Sequence, residues 1–128
     1  MKVFGIVGLP GSGKTHYAKT MSSHLEGIVI LIDDIERLEQ LPEKNTFDIL
    51  IITDVQFCIK SIREKANDYI IKKYGIGIEF IFFENNPSAC SPNVRFRNDG
   101  RKVEYLIHDM SKKYEIPKDV NPLKIWLA

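Results

Sequence analysis

Apolar residues along this chain fall into short continuous runs separated by stretches with helical spacing. Val3, Phe4, Ile6 and Val7 make the first run; residues 28–32, 48–52 and 78–83 make three more, rich in β-branched side chains. Such runs are the pattern of strands buried on both faces of a parallel sheet. Tyr17, Ala18, Met21 and Leu25 predict a helix over about 13–25, with Gly27 where a C-terminal cap would stand. Residues 35–41 read as one or two helical turns closed by Pro42. Ile62, Ala66, Tyr69, Ile70 and Tyr74 then mark one face of a long helix, with Gly75 just beyond its end.

From Ser88 onward the composition shifts. Pro92 breaks or starts a helix, and Val103, Leu106, Ile107, Met110 and Tyr114 line a further one that Pro117 ends. Residues 123–127 are apolar enough for a fifth strand. The alternation βαβαβαβααβ predicts one α/β domain over 1–128, in three layers, with a mostly parallel five-stranded sheet and right-handed crossovers.

Composition narrows the class. A chain of 128 residues with 44% apolar content can bury a single core. A formal net charge of +1 excludes a broadly basic nucleic-acid protein and leaves room for a local basic groove. Cys58 and Cys90 lack any metal-ligand spacing and read as reduced thiols of a soluble cytoplasmic protein. The N-terminal apolar run is interrupted by Gly5 and Gly8, so it is a strand and not a signal peptide. No run approaches the ~20 apolar residues that cross a membrane, so no membrane partner is expected.

Specific chemistry enters with Gly8-Leu9-Pro10-Gly11-Ser12-Gly13-Lys14-Thr15, which satisfies the pattern G-x-x-x-x-G-K-[ST] directly after a strand and before a helix. In such a loop backbone N–H groups turn inward around phosphate oxygens, and the helix offers its positive end to the same anion. Gly8, Gly11, Ser12, Gly13, Lys14 and Thr15 are therefore expected to bind ATP, with Lys14 on the β- and γ-phosphates and Thr15 on Mg²⁺.

The second run ends in Asp33-Asp34 and the third in Thr53-Asp54. Ligands of open α/β sheets collect at the carboxyl ends of strands, so these acids lie on the expected catalytic edge. Asp54 with Thr15 is the expected metal pair. Asp33 is read as the base for an attacking hydroxyl and Asp34 as a helix cap, although capping is a competing reading for each of these acids. Arg95, Arg97, Arg101 and Lys102 cluster around Asn98-Asp99-Gly100. They suggest a lid around 93–103 that offsets phosphate charge; the bland alternative is a solvated basic helix end. Phe80, Phe82 and Phe83 read as core, and His16, His24 and His108 as surface or helix-face residues.

Taken together, residues 8–15, Asp33-Asp34, Thr53-Asp54 and Arg97-Asn98 with Arg101 resemble the kinase domain of bacteriophage polynucleotide kinase and related small P-loop kinases of phages. The resemblance runs along nearly the whole chain in order and spacing. It implies Asp33 as general base for a 5′-hydroxyl, Arg97 and Arg101 as lid arginines, and no accompanying phosphatase half. An acceptor-phosphate arginine is implied as well; Arg37 is nearest, with Glu36 at the family's place. The location implied is the host cytoplasm. Asp34, Arg37 and Asp54 are the expected substrate-side residues. Only residues 33–47 separate the second and third runs, which suggests an open acceptor side suited to a DNA or RNA end or a hydroxymethylated base in DNA. A small-molecule kinase and a non-catalytic nucleotide-binding protein are the alternatives.

Overall fold

The computed structural model describes residues 1–35, 37–97 and 103–125, excepting the side chains of residues 95–97 and 103. Strands β1 (Lys2–Val7), β2 (Val29–Asp33), β3 (Ile49–Thr53) and β4 (Ile78–Phe82) form one parallel sheet in the order β2-β3-β1-β4. β1 is paired on both sides and is buried from Val3 to Val7, which is why its sequence carries no polar side chain after Lys2. β3 is buried from Leu50 onward for the same reason.

β2 corrects the expectation of burial on both faces. It occupies a sheet edge, its residues are half-buried or exposed, and Ile28 just before it is 61% exposed. An apolar β-branched run is thus satisfied by half-burial at a sheet edge.

The fifth strand is also corrected: among the described residues the sheet has four. The segment expected to form it makes one parallel bridge, Phe83 to Leu123, in which Leu123 N–H donates to the Phe82 carbonyl and Glu84 N–H to the Leu123 carbonyl, both at 2.8 Å. Pro122 has no N–H to extend the ladder, and Ile125 N–H turns to the Glu84 carboxylate at 3.3 Å. Residues 126–128 lie outside the described residues.

Helices α1 (Lys14–His24), α2 (Lys60–Tyr74) and α4 (Val103–Lys113) follow the apolar spacing, and α3 (Pro87–Arg97) stands where no such spacing marks a helix. Gly75 caps α2 in the left-handed region, φ 80°, with its N–H on the Ile71 carbonyl at 2.8 Å. Gly27 does not cap α1, which ends at an extended Leu25. At φ 93° it instead lets the Asp48 carboxylate reach Ile28 N–H at 2.7 Å. Pro92 neither starts nor breaks a helix. Pro87 occupies the first position of α3, where no N–H is needed, and Pro92 lies exposed within it. The helical turns expected over 35–41 shrink to a 3₁₀ turn, Leu38–Gln40, whose capping position is Arg37 and not Asp34.

One buried cation holds distant segments together. Arg63 is 6% exposed; its guanidinium donates to the carbonyls of Phe57 at 2.6 Å, Cys58 at 3.1 Å and Glu115 at 2.7 Å, and lies 5.0 Å from the Phe82 ring centre. No alternation rule marks an arginine for the inner face of a helix. Arg63→Met should cost about 2–4 kcal/mol in urea unfolding, because two buried carbonyls and a part-buried one lose their donor, and Arg63→Lys should recover little without the fork. A change below about 1 kcal/mol would show the contacts to be dispensable.

Burial also pushes the Cys58 thiol up to about 12 and the Cys90 thiol to about 11, and neither forms a disulfide. Both should resist an aromatic disulfide reagent at mildly alkaline pH in the folded protein and react at once in denaturant. Rapid labelling of the native chain would contradict this packing.

Candidate active site

Parallel pairing brings the strand ends to one edge: Val7 is level with Phe82, Ile6 with Thr53, and Thr53 with Asp33. From Val7 the chain passes directly into residues 8–15 and then into α1. The loop is closed by its own backbone, with Ser12 N–H on the Leu9 carbonyl at 3.1 Å and Tyr17 N–H on the Gly13 carbonyl at 2.9 Å. Gly11 and Gly13 have φ of 82° and 102°, where a residue with a β-carbon pays about 1–2 kcal/mol. Gly8 answers to space, since a β-carbon there would lie 2.4 Å from Ser12 Oγ. That hydroxyl is wholly buried and has no hydrogen-bond partner among the described residues. It is the kind of orphaned donor that an oxyanion held by the loop would satisfy.

Lys14 folds over the loop and donates from Nζ to the Leu9 carbonyl at 3.1 Å. Burial lowers its pKa, opposed in part by neighbouring groups that include Cys58, Asp34, Cys90 and Asp33. Asp33 ends β2 and is held by two hydroxyls: Thr53 Oγ1 donates to its Oδ1, and Thr15 Oγ1 stands 3.4 Å and 3.3 Å from its two oxygens. Asp34 follows in the left-handed region at φ 55°, its N–H on the Thr53 carbonyl at 2.8 Å and its side chain exposed.

Asp54 is 9% exposed, and its Oδ1 accepts Gln56 N–H at 2.9 Å, capping the 3₁₀ turn Val55–Cys58. The capping reading therefore holds for Asp54 and not for Asp34. Removal from water raises the Asp54 pKa.

Loop, Lys14, Thr15, Asp33 and Asp34 are thus neighbours at one edge. Arg37 stands exposed at the capping position of its 3₁₀ turn. Arg97 is the last residue of α3, with its side chain undescribed, and Arg101 lies outside the described residues, as does the Asn98–Lys102 part of the expected lid.

Two features carry no sequence signal. α3 rests on the loop: Asn93 Nδ2 donates to the Gly11 carbonyl at 2.8 Å, and a β-carbon on Gly11 would lie 2.5 Å from the Cys90 carbonyl oxygen. A groove of about 220 Å³ opens beside Gly13 and His16, walled by Tyr17, Thr20, Phe83 and Leu123. Its walls are almost wholly apolar, and Tyr17 meets Phe83 edge to face at 5.8 Å. Phe83 is core, as expected, yet it also floors this groove. Both features join residues far apart in the chain, so only the fold reveals them.

No helix among the described residues is long and apolar enough to cross a membrane. No family model matches the chain, and no solved structure matches it significantly. Over 119 residues it is 33% identical to the uncharacterized protein R277 of Acanthamoeba polyphaga mimivirus, covering 87% of this chain and 84% of that protein. On that likeness, the chain belongs to the same family as mimivirus R277.

Proposed function

We propose that the chain is an ATP-dependent P-loop kinase that moves the γ-phosphate to a hydroxyl, most readily a nucleic-acid 5′-hydroxyl or a hydroxymethylated base in DNA. The observation that carries this reading is the meeting of Thr15 with Asp33 beside Lys14, at the mouth of a loop with an orphaned buried hydroxyl. Those groups are what phosphoryl transfer asks of a protein, namely positioning and charge stabilisation.

Loop N–H groups and Ser12 would cradle the phosphates, and Lys14 would exchange the Leu9 carbonyl for phosphate oxygens. Thr15, Asp33 and Asp54 supply the hard oxygens that suit Mg²⁺. Among the described residues no group of three or more His, Cys, Asp or Glu side chains could hold a metal alone, but Mg²⁺ bound with substrate phosphates needs only one or two carboxylates. When bound, the ion offsets charge on the β- and γ-phosphate oxygens. A carboxylate after β2 takes the acceptor's proton, and Arg97 and Arg101 are assigned to the transferring group.

The groove at Gly13 and His16 lies where a nucleoside attached to those phosphates would extend. Tyr17 and Phe83 would pack against its base. On the acceptor side, residues 34–48 hold only a 3₁₀ turn among those described, with Asp34 and Arg37 exposed. That openness favours a large or extended acceptor.

The test is transfer of labelled γ-phosphate from ATP-Mg²⁺ to a panel of 5′-hydroxyl DNA and RNA, hydroxymethyluracil DNA, nucleosides and nucleoside monophosphates. Label should appear on a polymer, weaken as salt rises, and fall about 10²- to 10³-fold in Lys14→Ala. Label on monomers alone would make the chain a small-molecule kinase, and none at all a binding protein.

The apolar groove generates a separate expectation. Tyr17→Ala should weaken a fluorescent ADP analogue about 5- to 100-fold, the worth of one base contact with an aromatic ring. With few polar groups to read the base, ADP and GDP should bind within about tenfold of each other. Strong discrimination between them, with Tyr17→Ala silent, would move the base elsewhere.

A further inference from the structure

Two adjacent carboxylates end β2, and the resemblance assigns proton abstraction to the first. The geometry divides them otherwise. Asp33 is engaged on its Oδ1 by the Thr53 hydroxyl and approached by Thr15 through both oxygens, so two protein hydroxyls take part of its acceptor capacity. Thr15 is the residue expected to meet Mg²⁺. A carboxylate that accepts from such a residue orients it and the ion's water shell, and is poorly placed to take a proton from an incoming hydroxyl. Asp34 is exposed, as Asp33 is, but its carboxylate is not engaged in this way. Its backbone is pinned by the Thr53 carbonyl at 2.8 Å, its φ of 55° turns the chain abruptly at the strand end, and its exposed carboxylate has no hydrogen-bond partner among the described residues. A side chain free to meet a substrate, on a backbone conformation seldom used by non-glycine residues, is how functional positions are often held.

We propose, resting on the phosphotransferase reading, that Asp33 is a positioning residue for Thr15 and Mg²⁺, and that Asp34 is the catalytic base toward the acceptor hydroxyl. In the step assigned, the acceptor oxygen forms its bond to the γ-phosphorus and the bond from that phosphorus to the ADP oxygen breaks. ADP leaves with that electron pair, and the acceptor's proton goes to the Asp34 carboxylate. Thr53 then has a role beyond the sheet: its hydroxyl fixes Asp33 and its carbonyl fixes Asp34, so one residue sets the spacing of both acids.

Binding and transfer separate the two roles in the full chain. Titration with a fluorescent ADP analogue, with Mg²⁺ and with a chelator, reads the metal role without catalysis. Mg²⁺ should tighten binding equally in the wild type and in Asp34→Asn, and about tenfold or more less in Asp33→Asn. Transfer to a 5′-hydroxyl DNA oligonucleotide reads the base. Asp34→Asn should lose about 10²- to 10⁴-fold at any Mg²⁺ concentration, whereas the loss in Asp33→Asn should shrink as Mg²⁺ rises. Asp34→Gly, which suits the left-handed backbone, should keep or raise the melting temperature while losing transfer equally, separating chemistry from folding. Near-normal transfer by Asp34→Asn, or an unchanged Mg²⁺ effect on binding in Asp33→Asn, would overturn the division. A wild type that binds no ADP would instead overturn the phosphate-loop reading beneath it. A wild type that binds ADP-Mg²⁺ yet transfers to nothing would remove the base role and leave the metal role to stand or fall on the titration.

Discussion

Parallel pairing of β1 with both β3 and β4 is the constraint from which the rest follows. A parallel strand has its loop at the same end as its neighbours', so register decides which side chains meet across that edge. Here Ile6 opposite Thr53 and Thr53 opposite Asp33 put the third strand's hydroxyl between the loop after β1 and the acids after β2. A slip of one residue would turn Thr53 to the other face and separate the pair. The burial of Leu50, Ile51 and Ile52, each at most 1% exposed, is therefore also what holds the polar edge in place.

Much of this was legible in the chain because period and punctuation act locally. The runs at β1, β3 and β4 and the helical faces of α1, α2 and α4 follow from spacing alone, and the loop follows from a pattern whose residue types have steric reasons. What misled were features whose meaning depends on position in the sheet. The run before Asp33 has the composition of a central strand yet lies at the edge, and among the described residues the apolar C-terminal segment makes one bridge to the sheet, because Pro122 has no N–H to give and the Glu84 carboxylate takes that of Ile125. Arg63, Asn93 and the Tyr17–Phe83 groove were invisible because each depends on residues brought together only by folding.

On the proposed reading the edge mixes structural and chemical duties. Asp54 is buried and half committed to its 3₁₀ turn, Thr53 belongs to the ladder and to both neighbouring acids, and Lys14 is held by a loop carbonyl. Such sharing rigidifies a site, since each polar group already has a position before a ligand arrives. The cost is that few of these residues can be varied for one purpose alone.

Gly11 carries that last point furthest. It stands at a variable position of the loop pattern, so the pattern does not demand glycine there. What demands it is the Cys90 carbonyl oxygen, 2.5 Å from where a β-carbon would stand, together with a φ of 82°. In descent, this position should be free to drift only in lineages whose third helix sits farther from the loop. The spacing between helix and loop would then be recorded in one otherwise unremarkable glycine, and replacements there would arrive together with changes at the Cys90 turn.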